Sequence, residues 1–154
     1  MIMSAFEPSS IKLTGRLKAR GRCDDVFPLF SPLGEKKWVP GWDPVLLHPR
    51  GEDWARGLIF TTQEELGEAV WVVAQLDRES CYVEYYRVEP GRYVARVRVQ
   101  CGDDGVETDV SVEYEFVGLS ARGNADIAAM RPEDYQDKMR RWESWINSHL
   151  ATSR

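Results

Sequence analysis

The stretch that decides the fold is residues 132–150, PEDYQDKMRRWESWINSHL, near the C-terminal end of the chain. Its large apolar residues recur at every third or fourth position, a spacing that places side chains on one face of an α-helix. They are Tyr135, Met139, Trp142, Ile146 and Leu150. Charged and hydroxyl side chains occupy the opposite face, which predicts a long amphipathic helix. Because strand-like sequence precedes it, we expect its apolar face to pack on a sheet.

Most of the chain before this helix has the character of β-strands. Residues 11–23 alternate basic side chains with apolar or small ones, which is the period of a half-buried strand. Arginines of one later strand and glutamates of the next fall on the faces opposite their valines, which indicates antiparallel neighbours with one wet face. Residues 120–131 show no regular period and are predicted as a loop. The six further strands are predicted at 44–48, 57–62, 68–77, 81–89, 92–101 and 107–119.

Two short helices are predicted between the first and second strands. Asp24 offers an N-cap to the first, and Ser31 followed by Pro32 begins the second, which runs to about Val39. The single long helix must then cover the dry face of the whole sheet, so the sheet has to curl around it. The sequence therefore predicts an α+β helix-grip fold, with a curved antiparallel sheet of six to seven strands wrapped around the C-terminal helix.

Composition limits the organisation and the partners. The 154 residues are 43% hydrophobic and 29% charged, which fits a single domain over 1–154 with its core at about 11–150. A net charge of −5 argues against nucleic-acid binding, which needs a basic face. No apolar run approaches the ~20 residues that span a bilayer. We expect a cytoplasmic protein whose three cysteines, lacking any CxxC pair, are buried free thiols.

Several segments of the chain are similar to a known family. The chain resembles the START/polyketide-cyclase (SRPBCC) superfamily, to which the birch-pollen allergen belongs, and in particular a bacterial branch without assigned function. This resemblance implies an apolar cavity between the sheet and the helix, and it carries over no catalytic motif. The segments are DDVFPLFSP (24–32), EKKWVPGW (35–42), WVV (71–73), YYRV with PG (85–91), VEY (112–114), LS (119–120) and GN (123–124).

The aromatic residues supply the candidate site. The chain has six tryptophans, six tyrosines and five phenylalanines, and aromatic side chains with one polar atom suit a pocket for flat, mostly apolar molecules. The alternative is that these residues only fill the core. Arg87 shares the strand face of Tyr85; it is interpreted as a surface arginine, although it could hold an anionic group of a ligand. The residues predicted to line the pocket are Trp38, Trp42, Phe60, Trp71, Tyr85, Val97, Tyr114, Tyr135, Met139 and Trp142.

Three functions are weighed on this basis. The preferred one is non-catalytic binding of a small lipophilic or aromatic ligand. The second is an enzyme of the cyclase, dehydratase or hydrolase kind, in which a cavity residue would move a proton. The third is a protein-interaction or chaperone-accessory module, with the outer sheet face or the Trp38–Trp42 loop as its contact. No catalytic triad, metal cluster or cofactor motif is read from the sequence. A small hydrophobic ligand is the expected partner, and a homodimer is left open.

Overall fold

A seven-stranded antiparallel sheet frames the protein, whose computed structural model describes residues 6–152. The strand order is β1-β7-β6-β5-β4-β3-β2, so the first and last strands along the chain lie side by side. Every predicted strand is present, with bounds shifted by a few residues. The strands are β1 (Ser10–Ala19), β2 (Val45–His48), β3 (Ile59–Glu64), β4 (Gly67–Asp77), β5 (Tyr82–Glu89), β6 (Tyr93–Asp103) and β7 (Thr108–Gly118).

The sheet has one buried and one wet face, as the alternation predicted. In β6, side chains from Tyr93 to Cys101 alternate between buried and half-buried or exposed positions. On the outer face, Arg96 lies 2.6 Å from Glu115 and Arg98 lies 2.9 Å from Glu113. Half-exposed pairs of this kind contribute little stability. They mark the face that does not need to be covered.

The crossover from β1 to β2 is helical but differs in detail from the prediction. It contains α1 (Cys23–Val26) and two 3₁₀ helices, Phe27–Phe30 and Gly34–Lys37. β1 ends at Ala19 and not at residue 23, because the N–H of Gly21 turns back to the carbonyl of Ala19 at 3.0 Å. Asp24 is not a cap, since it lies inside α1. Ser31 does accept from the N–H of Gly34 (2.9 Å), but the second helix begins at Gly34.

The predicted loop at 120–131 is wrong, because it contains the helix α2 (Ala121–Ala128). Ser120 caps it: its hydroxyl accepts from the N–H of Gly123 at 3.1 Å and donates to the carbonyl of Gly91 at 2.6 Å. Arg92 adds an ion pair to Asp126 at 2.7 Å. The helix therefore fastens the β5–β6 turn to the end of β7. Ile127 is its one large buried side chain, so no long apolar stripe marks it in the sequence.

The long helix α3 (Pro132–Thr152) buries the five side chains that the sequence predicted. It lies across β1, where a Cβ added to Gly15 would stand 2.6 Å from Cγ of Met139. Polar side chains of α3 also bond the backbone of this edge strand. Glu143 accepts from the N–H of Lys18 at 2.7 Å, and Gln136 donates to the carbonyl of Thr14 at 3.0 Å. The helix thus covers both the inner face and the exposed edge of the sheet.

The three cysteines, Cys23, Cys81 and Cys101, are buried and free. Within residues 6–152, no group of three or more histidine, cysteine, aspartate or glutamate side chains is placed to hold a metal ion. No helix in that part of the chain is long and apolar enough to cross a membrane.

We predict that Gly123→Ala destabilises the fold far more than Gly102→Ala. A Cβ at Gly123 would collide with the backbone carbonyl of Arg92, whereas a Cβ at Gly102 has no neighbour within 4 Å. Overpacking of this kind lowers the free energy of unfolding by about 1–3 kcal/mol. Urea denaturation of both variants measures it. Equal midpoints for the two variants would show that α2 is not seated on the β5–β6 turn as described.

Candidate functional site

The ten residues predicted to line a pocket all belong to the core between the sheet and α3. Nine are buried, and Trp42 is half-buried against the others. The strands β3 to β7 contribute Phe60, Trp71, Tyr85, Val97 and Tyr114, the helix α3 contributes Tyr135, Met139 and Trp142, and the crossover contributes Trp38 and Trp42. The structure therefore brings the predicted set together, and their role in binding stays a prediction.

Ring contacts divide the aromatic members into two groups. The strand group is Trp42, Phe60, Trp71 and Tyr85, in which Phe60 stacks on Trp71 with ring centroids 5.5 Å apart. The helix group is Trp38, Tyr114, Tyr135 and Trp142, in which Trp38 meets Trp142 edge-on at 5.4 Å and Tyr114 lies 6.4 Å from Trp142. Edge-on and offset arrangements are the preferred ones for aromatic pairs. Both groups are packed as a protein core is.

Most of the polar atoms on these rings are already used by the protein. Each such N–H or hydroxyl donates to a fixed acceptor of the fold, so these rings offer a ligand only apolar surface. The bonds are Trp38 to the carbonyl of Leu29 (2.7 Å), Trp42 to that of Pro32 (2.7 Å), Trp71 to the hydroxyl of Thr62 (2.9 Å), Tyr85 to the carbonyl of Phe30 (2.6 Å) and Tyr135 to that of Val112 (2.8 Å).

Two donors of the helix group differ from the rest. Among residues 6–152, the structure gives no hydrogen-bond partner to the hydroxyl of Tyr114 or to the indole N–H of Trp142. Burial raises the pKa of the Tyr114 hydroxyl, so it stays protonated at neutral pH and can donate. The helix group is therefore the part of the predicted set that could orient a polar atom of a ligand.

Lys138 lies beside these two donors, although the sequence analysis gave it no role. Its Nζ is 4.3 Å from the ring centroid of Tyr114 and 5.1 Å from that of Trp142. Burial, followed by the nearby guanidinium of Arg87, lowers the pKa of Lys138 to about 8, whereas Glu35 opposes the shift. Its position three residues after Tyr135 and four before Trp142 is the signal that could have placed it on the inner face.

A cleft of about 310 Å³ opens beside this lysine, between the first half of α3 and the strands β1 and β7; we call it the helix cleft. Its floor is apolar and its rim is mostly basic. A second cleft of about 310 Å³, the loop cleft, runs along residues 39–43, which include Trp42, and the end of β3 at Glu64. The helix cleft is lined by Leu13, Tyr114, Phe116, Met130, Arg131, Asp134, Tyr135, Lys138 and Arg141.

Arg87 is half-buried and its side chain faces the core, so its interpretation as a surface residue is wrong. Its side chain is 12% exposed, and its Cζ lies 5.5 Å from the ring centroid of Trp71 and 6.0 Å from that of Tyr114. Cation–π contacts with these rings stabilise the guanidinium inside the core. Its Nη2 forms an ion pair with Glu89 at 3.2 Å, while its buried Nε has no partner. The side chain of Arg87 therefore faces the core, and its role in holding a ligand stays a prediction.

Glu35 is a second inward acid–base group that the sequence did not reveal. It lies on the 3₁₀ helix Gly34–Lys37 and is half-buried, while its neighbours Lys36 and Lys37 are exposed. Burial raises the pKa of its carboxyl to about 8, and the charge of Lys138 acts in the opposite direction. The two groups influence each other without a direct ion pair within 4.0 Å among the described residues.

Comparison with known proteins gives a clear result for the fold. No protein-family model matches the sequence, and no curated protein does. Among solved structures, norcoclaurine synthase from Thalictrum flavum, a point mutant with a transition-state analogue, is similar with a TM-score of 0.70 and 12% identity over 97% of this chain and 100% of that one. Another structure of that enzyme, in complex with dopamine and hydroxybenzaldehyde, gives 0.66 and 12% over 97% and 96%.

Two further proteins are similar at the same level. The major latex-like protein 151 of Panax ginseng has a TM-score of 0.68 and 16% identity over 91% of this chain and 97% of that one. Ara h 8.0201 has a TM-score of 0.67 and 11% identity over 94% and 99%. Identities this low show a shared fold alone. The chain therefore shares the helix-grip fold of these proteins, the fold that its sequence resemblance implies.

Proposed function

We propose that the protein binds a small lipophilic or aromatic ligand between the sheet and α3, without catalysing its conversion. The observation that carries this proposal is the helix cleft, where the apolar ring surface of Phe116 and Tyr135 lies beside Tyr114, whose hydroxyl has no partner among the described residues. Trp142 lies behind this lining, with its ring centroid 6.4 Å from that of Tyr114. Concave sites of this size, with apolar walls and few polar groups, are typical of small-molecule binding.

Typical interaction free energies indicate which groups of the helix cleft would supply affinity and which would orient the ligand. Each 100 Å² of apolar ligand surface removed from water contributes about 2.5 kcal/mol. A neutral hydrogen bond contributes only about 0.5–1.5 kcal/mol net. The rings of Tyr114 and Tyr135 would therefore supply most of the affinity, and the hydroxyl of Tyr114 would fix the orientation of the ligand.

The shared fold supports the proposal only by analogy. A structure of norcoclaurine synthase holds dopamine and hydroxybenzaldehyde, which are small aromatic molecules with polar substituents. A ligand of that general size and character fits the composition of the helix cleft. Because one fold serves many functions, the residues of this chain carry the argument.

We predict that Trp142→Ala weakens ligand binding and that Leu150→Ala does not. Both truncations remove buried apolar volume and should destabilise the fold by about 2–5 kcal/mol. Only Trp142 contacts Tyr114 and Lys138 of the helix cleft, whereas Leu150 packs near Gly21 at the other end of α3. Loss of the Trp142 side chain should therefore weaken ligand binding by about tenfold or more.

The measurement is a panel of lipophilic and aromatic compounds, followed by tryptophan fluorescence and the rise in melting temperature that a ligand selective for the folded state produces. Binding constants are compared at a temperature where both variants are folded. If no compound shifts the melting temperature of the unmodified protein, the binding proposal fails. Equal loss of affinity in both variants would mean that the ligand does not lie at Trp142.

An enzyme is the second candidate, and Glu35 with Lys138 is the observation that favours it. Both groups have pKa values of about 8, which suits acid–base catalysis near neutral pH. A carboxyl and an ammonium facing one interior could move a proton next to the carbonyl of a polyketide-like substrate. Exchange of such C–H protons in D₂O, followed by NMR, tests this. Exchange that the unmodified protein accelerates and Glu35→Gln does not would support an enzyme. Equal exchange rates with the unmodified protein and with Glu35→Gln would argue against one.

We predict that Glu35→Gln removes part of the pH dependence of stability. The folded pKa of about 8 exceeds the ordinary value of 4.5, so the folded state holds the proton more tightly and loses stability as the pH rises through this interval. The variant should match the unmodified protein near pH 5 and exceed it in stability near pH 9. Urea midpoints at the two values measure this difference.

Glu65→Gln is the matched control for this prediction, because it removes one exposed carboxyl from the β3–β4 turn. It should leave the slope of stability against pH unchanged. A Glu35→Gln variant whose slope equals that of the control would show that Glu35 is solvated and does not face the interior.

The interaction module is the least supported function. The outer face of β5 to β7 carries ion pairs such as Arg98 with Glu84 at 2.8 Å, which suit a surface in water. Trp42, the last residue of the predicted contact loop, is half-buried, with its N–H bonded to the carbonyl of Pro32. A cytoplasmic location and a homodimer stay proposals, and light scattering of the purified chain would measure the second.

A further inference from the structure

We propose that the ligand is a lipophilic anion, a carboxylate or a comparable acid, whose charged group lies against Lys138 while its apolar body lies on the floor of the helix cleft. This inference rests on the proposed function, because it names the chemical class of ligand for the same site. The floor that would take the apolar body is formed by Leu13, Tyr114 and Phe116.

The charge of the helix cleft is opposite to that of the protein. The whole chain carries a net charge of −5, yet the cleft lining contains Arg131, Lys138 and Arg141 with Asp134 as its acid. Arg131 is partly neutralised by Glu133 at 3.2 Å, on a rim where both side chains are about two-thirds exposed. The deeper end of the cleft, at Lys138, therefore concentrates the positive charge.

Lys138 has no carboxylate within ion-pair distance among the described residues. Its ammonium lies on the rings of Tyr114 and Trp142, and ring faces replace only part of the hydration that burial removes. Glu35, the acid that acts on it most strongly, holds its own proton at neutral pH because its pKa is raised to about 8. An anionic group of a ligand would supply the missing partner.

The other charged groups near Lys138 do not supply an anionic partner for its ammonium. Arg87, on β5, also lies on the ring of Tyr114, but it is paired at 3.2 Å with Glu89, which it shares with Arg92, and it does not line the cleft. Arg141 is a further cation on α3 and makes an anion more favourable. Glu64, on β3, acts on Lys138 more weakly than Glu35 does. Lys138 is thus the cation of the interior that an anion can reach from the cleft.

Matched pairs of an acid and its neutral amide test the proposal: decanoic acid with decanamide, and 4-phenylbutyric acid with 4-phenylbutyramide. We expect each acid to bind about tenfold or more tightly than its amide, as hydrogen bonds to charged groups require. Lys138→Met should reduce the affinity for the acid to that for the amide and leave the affinity for the amide unchanged. Isothermal titration calorimetry at neutral pH measures both.

Two control variants keep the test decisive. Arg140→Gln removes the same charge from the outward face of α3, so it should leave both affinities within about twofold. Lys138→Arg keeps the cation and should retain the preference for the acid even if the cleft changes shape. Thermal unfolding confirms that each variant is folded before titration.

The outcomes separate this inference from the proposed function. Equal affinity of acid and amide, or equal weakening of both by Lys138→Met, would overturn the inference and leave lipophilic binding in place. A loss of preference in Arg140→Gln would also overturn it, because the effect would then come from overall charge. If neither member of any pair binds, the proposed function fails and this inference fails with it.

Discussion

The contact between α3 and the edge strand β1 is the constraint on which the rest of the structure depends. Glycine at position 15 lets Met139 approach the strand, while Gln136, Glu143 and Asn147 bond its backbone at 2.7–3.0 Å. One helix thereby satisfies an open edge and covers an apolar face at once. Because it is fixed along β1, it leaves a gap on its flank toward Tyr114, and this gap is the helix cleft.

The architecture was predictable because strong periods encode it. The stripe from Tyr135 to Leu150 and the alternation in β6 each report which side chains are buried. Residues 121–128 bury a single large apolar side chain, that of Ile127, so no long stripe marks them. There, hydrogen bonds of Ser120 and a close approach at Gly123 hold α2, and neither leaves a repeating pattern. The helices of the crossover were displaced for a related reason, since short 3₁₀ segments are set by tertiary packing more than by local preference.

The candidate site also contains residues that the sequence predicts and residues that it does not. Aromatic residues such as Trp38 and Trp71 could be assigned to the interior because large apolar side chains leave water. Charged residues are expected outside by the same rule, so Glu35 gave no sign of facing inward and Arg87 was interpreted as a surface residue. Only the helical spacing of Lys138 from Tyr135 and Trp142 indicated its position. Only ring faces and partial ion pairing make these burials tolerable, and such compensation becomes visible when the chain is folded.

The hydrogen bonds that hold five of the predicted rings have a consequence for the entropy of binding. Trp38, Trp71 and Tyr85 are each tied to a fixed acceptor, so their rotamers are chosen when the chain folds and not when a ligand arrives. Immobilising a free side chain at a binding surface opposes association by about 0.5–1.5 kcal/mol. Walls that are already ordered avoid most of this loss. Tyr135 is the ring of this kind that lines the helix cleft, so at the site proposed there rigid ligands would gain more than flexible ones of equal area.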